Sequence, residues 1–308
     1  MTASRIIGPG LILLCTVIWG AAFIAQKLGA DNFGPFAINC YRNLLAGVFL
    51  AAALMVRSRF ARRARAELGV SRLVAPWRRS EILGGSMSGI VLFVAMLAQQ
   101  LGIERTSPGV SAFLTANYVL LVPVFAWAVG KGRPGVGVWV GVALALCGSF
   151  FISITVTADL FTIGAGELWT LACAALFAVQ IMVVDRFAPG SDMLRLSMVQ
   201  MFVAGLVALP FDFLPGELAR ASVDSFLRGV PALLFLGVFS SGIAYTLQNL
   251  GQARTPPALA AIIMSMESVF GALFGWLLLG DVMTSRQICG CVFVLAAVIL
   301  SQLIPSKR

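Results

Sequence analysis

Apolar and polar positions alternate along this chain in a coarse rhythm. Runs of about 20 mostly apolar residues, enough to cross a hydrocarbon core as a helix, are separated by short polar connections. The runs fall near 7–28, 34–56, 81–102, 107–130, 135–154, 165–185, 193–213, 227–250, 256–279 and 286–304. The connections carry the Gly, Pro and charged residues expected at helix ends, and the longest is the basic stretch 57–80. The pattern predicts an all-α membrane protein of ten transmembrane helices.

Part of the chain is written twice. Residues 98–132 (AQQLGIERTSPGVSAFLTANYVLLVPVFAWAVGKG) match residues 247–281 (LQNLGQARTPPALAAIIMSMESVFGALFGWLLLGD) at a constant offset of 149. Gln99 then falls on Gln248, Gly102 on Gly251, Arg105 on Arg254, Pro108 on Pro257 and Trp127 on Trp276. A second register, offset 158, lays Ala46 and Gly47 on Ala204 and Gly205. Five spans per copy is an odd number, so the second copy enters the membrane upside down. The expected organisation is two inverted five-helix repeats, 1–154 and 155–308, in one integrated unit. Inverted copies that exchange conformations exchange an outward-open for an inward-open cavity. A duplication that merely builds a stable bundle is the alternative.

Composition agrees with a lipid environment. The chain of 308 residues is 59% hydrophobic and 11% charged, against about 25% charged in a soluble domain. With no histidine, imidazole metal sites and His-based acid–base chemistry are excluded. Cys15, Cys40, Cys147, Cys173, Cys289 and Cys291 all sit in apolar runs without a CxxC pair, so they read as buried small hydrophobes rather than metal ligands or disulfides. The net charge of +9 sorts by membrane side. Stretch 57–80 holds eight arginines (57, 59, 62, 63, 65, 72, 78 and 79). Placing it in the cytoplasm puts both termini there, with Arg5, Lys131, Arg133, Arg186, Arg195, Arg254, Lys307 and Arg308, sixteen of 22 basic residues in all. Lys27, Arg105, Arg220, Arg228 and Arg286 then lie outside, with the acids Asp31, Glu104, Asp159, Glu167, Asp212, Glu217, Asp224 and Asp281. An arginine cluster so placed suits anionic lipid heads, not nucleic acid. The first apolar run is longer than a signal-peptide core and lacks a small-residue cleavage site, so it is expected to stay as a span.

Polar side chains at membrane depth are costly and usually face a cavity or a partner. Trp19, Phe23 and Gln26 share one face of span one, and Ser241, Tyr245 and Gln248 share one face of span eight, by i, i+4, i+7 spacing. Phe177 and Gln180 make a comparable stripe on span six, Asn117 and Tyr118 lie on span four, and Gln99 lies near the end of span three. Aromatic walls with a few amides and hydroxyls suit a small amphipathic molecule; hydrogen bonding between packed helices is the competing use. Glu267 lies about mid-depth in span nine, where lipid disfavours its charge. It is the candidate proton carrier or ammonium ligand, with a fixed structural pair as the alternative. Arg42, whose counterpart at offset 158 is Gln200, either clamps a substrate carboxylate, pairs with Glu267, or snorkels to the surface. Gly85/Gly89, Gly137/Gly141 and Gly271/Gly275 permit close helix contact; packing within a monomer is expected, and a dimer seam is the alternative.

The run WGAAFIAQK at 19–27, the segment Arg42–Gly47, the connections ERTSPG (104–109) and ARTPPA (253–258), and MESVFGALFGWLLLGD ending span nine occur in this order. Together they resemble the drug/metabolite transporter superfamily, in particular its EamA-type members. The last segment is similar to that family's EPVFAALLGWLLLGE, with Ser268 where Pro is usual and Asp281 where Glu is usual. The resemblance implies a ten-helix carrier of the bacterial inner membrane, often an exporter of amino acids or related metabolites, without ATP hydrolysis. The residues agree: no GxxxxGK[ST] loop is present, and no paired acids or nucleophile–base set marks an enzyme. The partners expected are a small-molecule substrate, protons and membrane lipid. No cofactor or metal is expected. A facilitator or importer is the runner-up, ahead of a non-transporting sensor.

Overall fold

The computed structural model describes residues 4–68, 76–106, 108–153, 164–218, 222–280 and 282–303. Among the described residues, ten helices are long and apolar enough to span a membrane: α1 Ile6–Ala30, α2 Pro35–Arg62, α3 Arg79–Ile103, α4 Val110–Ala128, α5 Val136–Ser153, α6 Ala165–Phe187, α7 Met193–Phe213, α8 Val223–Gln252, α9 Pro257–Leu278 and α10 Ser285–Leu303. No strand occurs among the described residues. The boundary between the two halves, the side chains of Arg5, Arg63, Arg65 and Arg72, and Asp159, Arg220, Asp281, Lys307 and Arg308 lie outside the described residues.

One boundary departs from the hydropathy pattern. The helix of α2 runs on to Leu68, through residues read above as loop. Arginine and alanine propagate a helix well, so polarity ends the apolar run without ending the helix. Two of the arginines bind protein groups. Arg57 pairs with Asp192, and Arg78 donates to the Gly190 carbonyl. Beside them Arg195 pairs with buried Glu81 at 3.4 Å and lies over the Trp77 ring at 5.0 Å. This cluster ties α2 and α3 to the start of α7.

Helices α4 and α9 are interrupted at the same place in the duplicated segment. One breaks between Thr115 and Tyr118, the other at Ser265, where offset 149 lays Thr115 on Met264 and Tyr118 on Glu267. At each break ψ flattens, to −12° at Asn117 and −15° at Ser265, and three-residue hydrogen bonds take over, such as Val119 N to Ala116 O and Ser268 N to Ser265 O. Helix α8 carries a different irregularity, a π-helical stretch over Phe235–Ala244.

The packing repeats under the sequence offsets. A Cβ on Gly102 of α3 would run into Gly166 and Thr170 of α6, and one on Gly251 of α8 into Gly8 and Ile12 of α1. Gly102 and Gly251 differ by 149, Gly8 and Gly166 by 158, and Ile12 and Thr170 by 158. Likewise Gly47 faces Phe202 while Gly205 faces Leu44. Gly85 and Gly89 seat α7 through Val199 and Val203, and Gly141 seats α10 through Ala297 and Ser301, so these small residues serve contacts inside the chain. The largest buried apolar cluster joins α1, α4, α5, α6, α8, α9 and α10. Of the cysteines, Cys15, Cys40 and Cys173 are buried as expected, whereas Cys147 and Cys289 are exposed and Cys291 is half-buried. Those three lie on α5 and α10, whose exposed positions away from the helix ends are apolar and need no burial when lipid is the solvent.

Candidate functional site

The breaks in α4 and α9 place Tyr118 and Glu267 each at the start of a half-helix, Tyr118–Ala128 and Met266–Leu279. The two meet: Tyr118 Oη donates to Glu267 Oε1 at 3.3 Å. Glu267 is 8% exposed and sits in the first turn of its half-helix, where the helix dipole favours an anion. No basic side chain lies within ion-pairing distance of it among the described residues.

Around this pair lies a cavity of about 50 Å³. It is a tight slot. Its wall contains eleven of the residues named from sequence: Trp19, Phe23, Gln26, Arg42, Gln99, Tyr118, Phe177, Gln180, Tyr245, Gln248 and Glu267. Trp19 and Tyr245 meet edge to face at 4.8 Å between ring centroids. Arg42 is 5% exposed, so it does not snorkel. It does not pair with Glu267 either: Nε donates to Ser241 Oγ at 2.9 Å and Nη2 to Ser240 Oγ at 3.0 Å.

Three sequence-predicted residues are not in the wall. Asn117 turns its amide back onto the Phe113 and Leu114 carbonyls, both at 3.1 Å, and so caps the half-helix that ends there. Gln200 is fully buried and accepts from Asn249 Nδ2 at 3.0 Å. Ser241 stands behind the wall, holding Arg42, while its neighbour Ser240 lines the cavity. The regular 3.6-residue period selected Ser241; the π-helical stretch shifts the face by a residue.

Sequence reasoning missed Ala22, Met96, Thr115, Ile181, Ser240 and Met264. The repeat offsets mark most of them. Offset 158 relates Trp19 to Phe177, Ala22 to Gln180 and Phe23 to Ile181. Offset 149 relates Met96 to Tyr245, Gln99 to Gln248, Thr115 to Met264 and Tyr118 to Glu267. Fourteen of the seventeen lining residues thus form seven pairs. The three without a partner in the wall are Gln26, Arg42 and Ser240.

One end of the cavity is closed by amides. Gln248 Nε2 bridges Gln180 Oε1 and Gln252 Oε1, each at 3.3 Å, and Gln180 Nε2 reaches Ser88 Oγ at 3.2 Å. Asn249 adds a 2.8 Å bond to Ser197. Towards the α1–α2 turn, an apolar layer of Ala22, Ala25, Ile38 and Leu236 separates the cavity from a second pocket, lined by Phe33, Tyr41, Asp212, Glu217 and Phe226 among others. There Tyr41 donates to Asp212 at 2.6 Å, and the Glu217 carboxylate accepts the Phe36 and Ala37 amides that open α2. No group of three metal-ligating side chains occurs among the described residues.

Comparison with known proteins gives one consistent answer. The model of the EamA-like transporter family matches residues 6–154 and 164–303. A protein described as an uncharacterized transporter of Archaeoglobus fulgidus is 27% identical over 292 residues, covering 95% of this chain and 84% of its own. A WAT1-related chloroplastic protein of Arabidopsis thaliana is 24% identical, over 95% of this chain and 70% of its own. The inner membrane transporter YedA of Escherichia coli K12 is 22% identical, over 94% and 89%. A solved crystal structure superposes with a TM-score of 0.73 at 18% identity, covering 98% of this chain and 96% of that one, a likeness of fold.

Proposed function

Because the chain belongs to the EamA-like transporter family, we propose that it moves a small zwitterion, an amino acid or a close relative, across a bacterial inner membrane by alternating access. One observation carries this reading: a buried arginine and a buried carboxylate line the same cavity, and neither forms an ion pair with a protein group among the described residues. An uncompensated charge in a low-dielectric interior costs several kcal/mol. A ligand with a carboxylate for Arg42 and an ammonium for Glu267 offsets both costs at once. The rings of Trp19, Phe23, Phe177 and Tyr245 suit its apolar portion.

The rest of the mechanism follows from the pairing of the wall residues. The segments 1–154 and 155–308 act as inverted halves, and exchanging their conformations moves the opening from one membrane face to the other. The amides at the Gln248 end and the apolar layer at the Ile38 end are the two gates. Both termini are cytoplasmic, the unit is a monomer, and Glu267 takes a proton when the ammonium leaves. The protein works as a carrier rather than an enzyme.

The test is thermal stabilisation of the purified protein by matched ligands: L-phenylalanine and L-leucine, the amines lacking their carboxylates, and the acids lacking their amines. A ligand that binds the folded state raises stability by mass action. The zwitterions should stabilise most. Equal stabilisation by the amines alone would remove the Arg42 contact, and no response to any of them would set the substrate class aside.

A further inference from the structure

Seven pairs of repeat-related residues build most of the cavity wall, and three polar residues lack a counterpart in it, Gln26 and the pair Arg42 and Ser240. These two are bonded to each other. The counterpart of Arg42, Gln200, is turned away into the Asn249 network. The symmetric part suits the motion common to both halves. A substrate meets each part of the wall in only one way, so the unsymmetrical part is where its chemical identity is read.

Arginines at this depth are usually neutralised by a carboxylate. Here the two acceptors are neutral hydroxyls, so the guanidinium keeps its whole charge. Its geometry is nonetheless set. Of five N–H donors, the Nε one goes to Ser241 and one from Nη2 goes to Ser240. The end-on edge formed by Nη1 and Nη2 remains, which is the edge that grips a carboxylate with two parallel bonds. The π-helical stretch Phe235–Ala244 makes this hold feasible. Its wider turn brings neighbouring side chains closer in direction than an α-helix does, so residues 240 and 241 both reach one guanidinium. Such irregular turns recur at functional sites. The same turn is tied to α1, since Trp19 Nε1 donates to the Ser240 carbonyl at 3.3 Å.

We infer that Ser240 and Ser241 are specificity-determining positioning residues, which hold Arg42 so that its free edge selects substrates bearing a carboxylate. The inference rests on the proposed zwitterion reading and extends it to residues that need not touch the ligand.

The experiment compares binding of L-phenylalanine with binding of phenethylamine, which lacks the carboxylate, in wild type, Arg42→Gln, Ser240→Ala/Ser241→Ala and Ser240→Thr/Ser241→Thr. Misdirecting a clamp by about 1 Å costs up to about a hundredfold. The double alanine variant should therefore lose on the order of tenfold to a hundredfold more affinity for phenylalanine than for the amine. Retained amine binding shows that the variant is folded. The double threonine variant keeps both hydroxyls and should restore the preference. If the double alanine variant is too unstable, each single alanine variant should show part of the loss. A wild-type preference that Arg42→Gln removes but the serine variants leave intact would overturn this inference alone. A wild type with no preference for the carboxylate would overturn the zwitterion reading and this inference with it.

Discussion

Replacing Glu267 by Gln isolates charge from shape. The amide has nearly the volume of the carboxylate and can still accept the Tyr118 hydroxyl now found 3.3 Å from Oε1. Only one long bond and a helix-start position are affected, so folding should change little; removing an unpaired buried charge is close to neutral or favourable. Binding should change far more. A hydrogen bond to a charged group contributes about 1.5–3 kcal/mol net, which is about 10- to 150-fold in affinity. Affinity for phenethylamine should fall by that factor in Glu267→Gln. The pH dependence should change as well. If Glu267 binds the ammonium as proposed, a proton competes for the same oxygens and amine affinity should rise from pH 5.5 to pH 8 in wild type; the variant, with nothing to titrate at that position, should give a flat profile. Ligand-induced stabilisation in lipid nanodiscs, followed by counterflow in proteoliposomes at both pH values, reads both effects. A variant that retains wild-type affinity and wild-type pH slope would refute the reasoning, and Glu267 would then be a structural group held by Tyr118.

Two further outcomes concern stability. A Cβ on Gly148 would sit 2.6 Å from the Gly290 carbonyl and 2.8 Å from the Val294 amide, backbone atoms that cannot yield as a side chain does. Gly148→Ala should therefore destabilise the α5–α10 contact by about 1–3 kcal/mol, visible as a lower melting temperature with ligand selectivity unchanged; an unshifted melting curve would show that this seam is loose. Asp192, just ahead of α7, is pushed up by burial, but the hydrogen bond and charge of Arg57 and the backbone amide and charge of Arg195 pull it further down, to a net value below the ordinary carboxylate range. Its folded value thus lies below its unfolded one, so its contribution is complete above about pH 4 and is lost as pH falls through the folded value. The melting-temperature gap between wild type and Asp192→Asn should be constant from pH 8 to 5 and close only in more acidic buffer. A gap that instead widened on acidification would reverse the assigned sign.

The ten spans were legible because apolar run length is set by the membrane itself. The extension of α2 to Leu68 was not, since arginine and alanine favour a helix while polarity hides it from a hydropathy reading. Within the site, the stripes on α1 and α6 reached the wall because those helices are regular. Ser241 missed it because α8 is not: a π-helical turn leaves no mark in an apolar periodicity. Asn117 missed it for a related reason. A helix broken in mid-membrane needs a partner for its freed carbonyls, and the amide that looked free to bind a ligand is the one that serves them.

The residues that escaped notice point to how such a site is best read. Ala22, Ile181, Met96 and Met264 carry no chemistry that a search for functional groups would select, and Thr115 carries only a hydroxyl, yet each is the repeat counterpart of another wall residue. Applying the two offsets to the recognised wall residues finds Ala22, Ile181 and Met96, whereas Thr115 and Met264 are counterparts of each other and stay hidden. The same operation separates two kinds of position. Where the wall is paired, as at Gln99 with Gln248 or Tyr118 with Glu267, either half can supply the contact as the opening changes sides, so pairing suits movement. Where pairing fails, as at Arg42, the proposed zwitterion reading has the site distinguish one end of its ligand from the other. Tyr118 and Glu267 belong to both kinds at once. They are equivalent by position and in contact, but only one of them is an acid, so the exchange of halves carries a titratable group on one half alone. On the carrier reading proposed above, Glu267 is the group through which a proton gradient would be coupled to the exchange of halves, so the neutral Glu267→Gln variant, although it binds the ammonium more weakly, should exchange substrate without a response to pH.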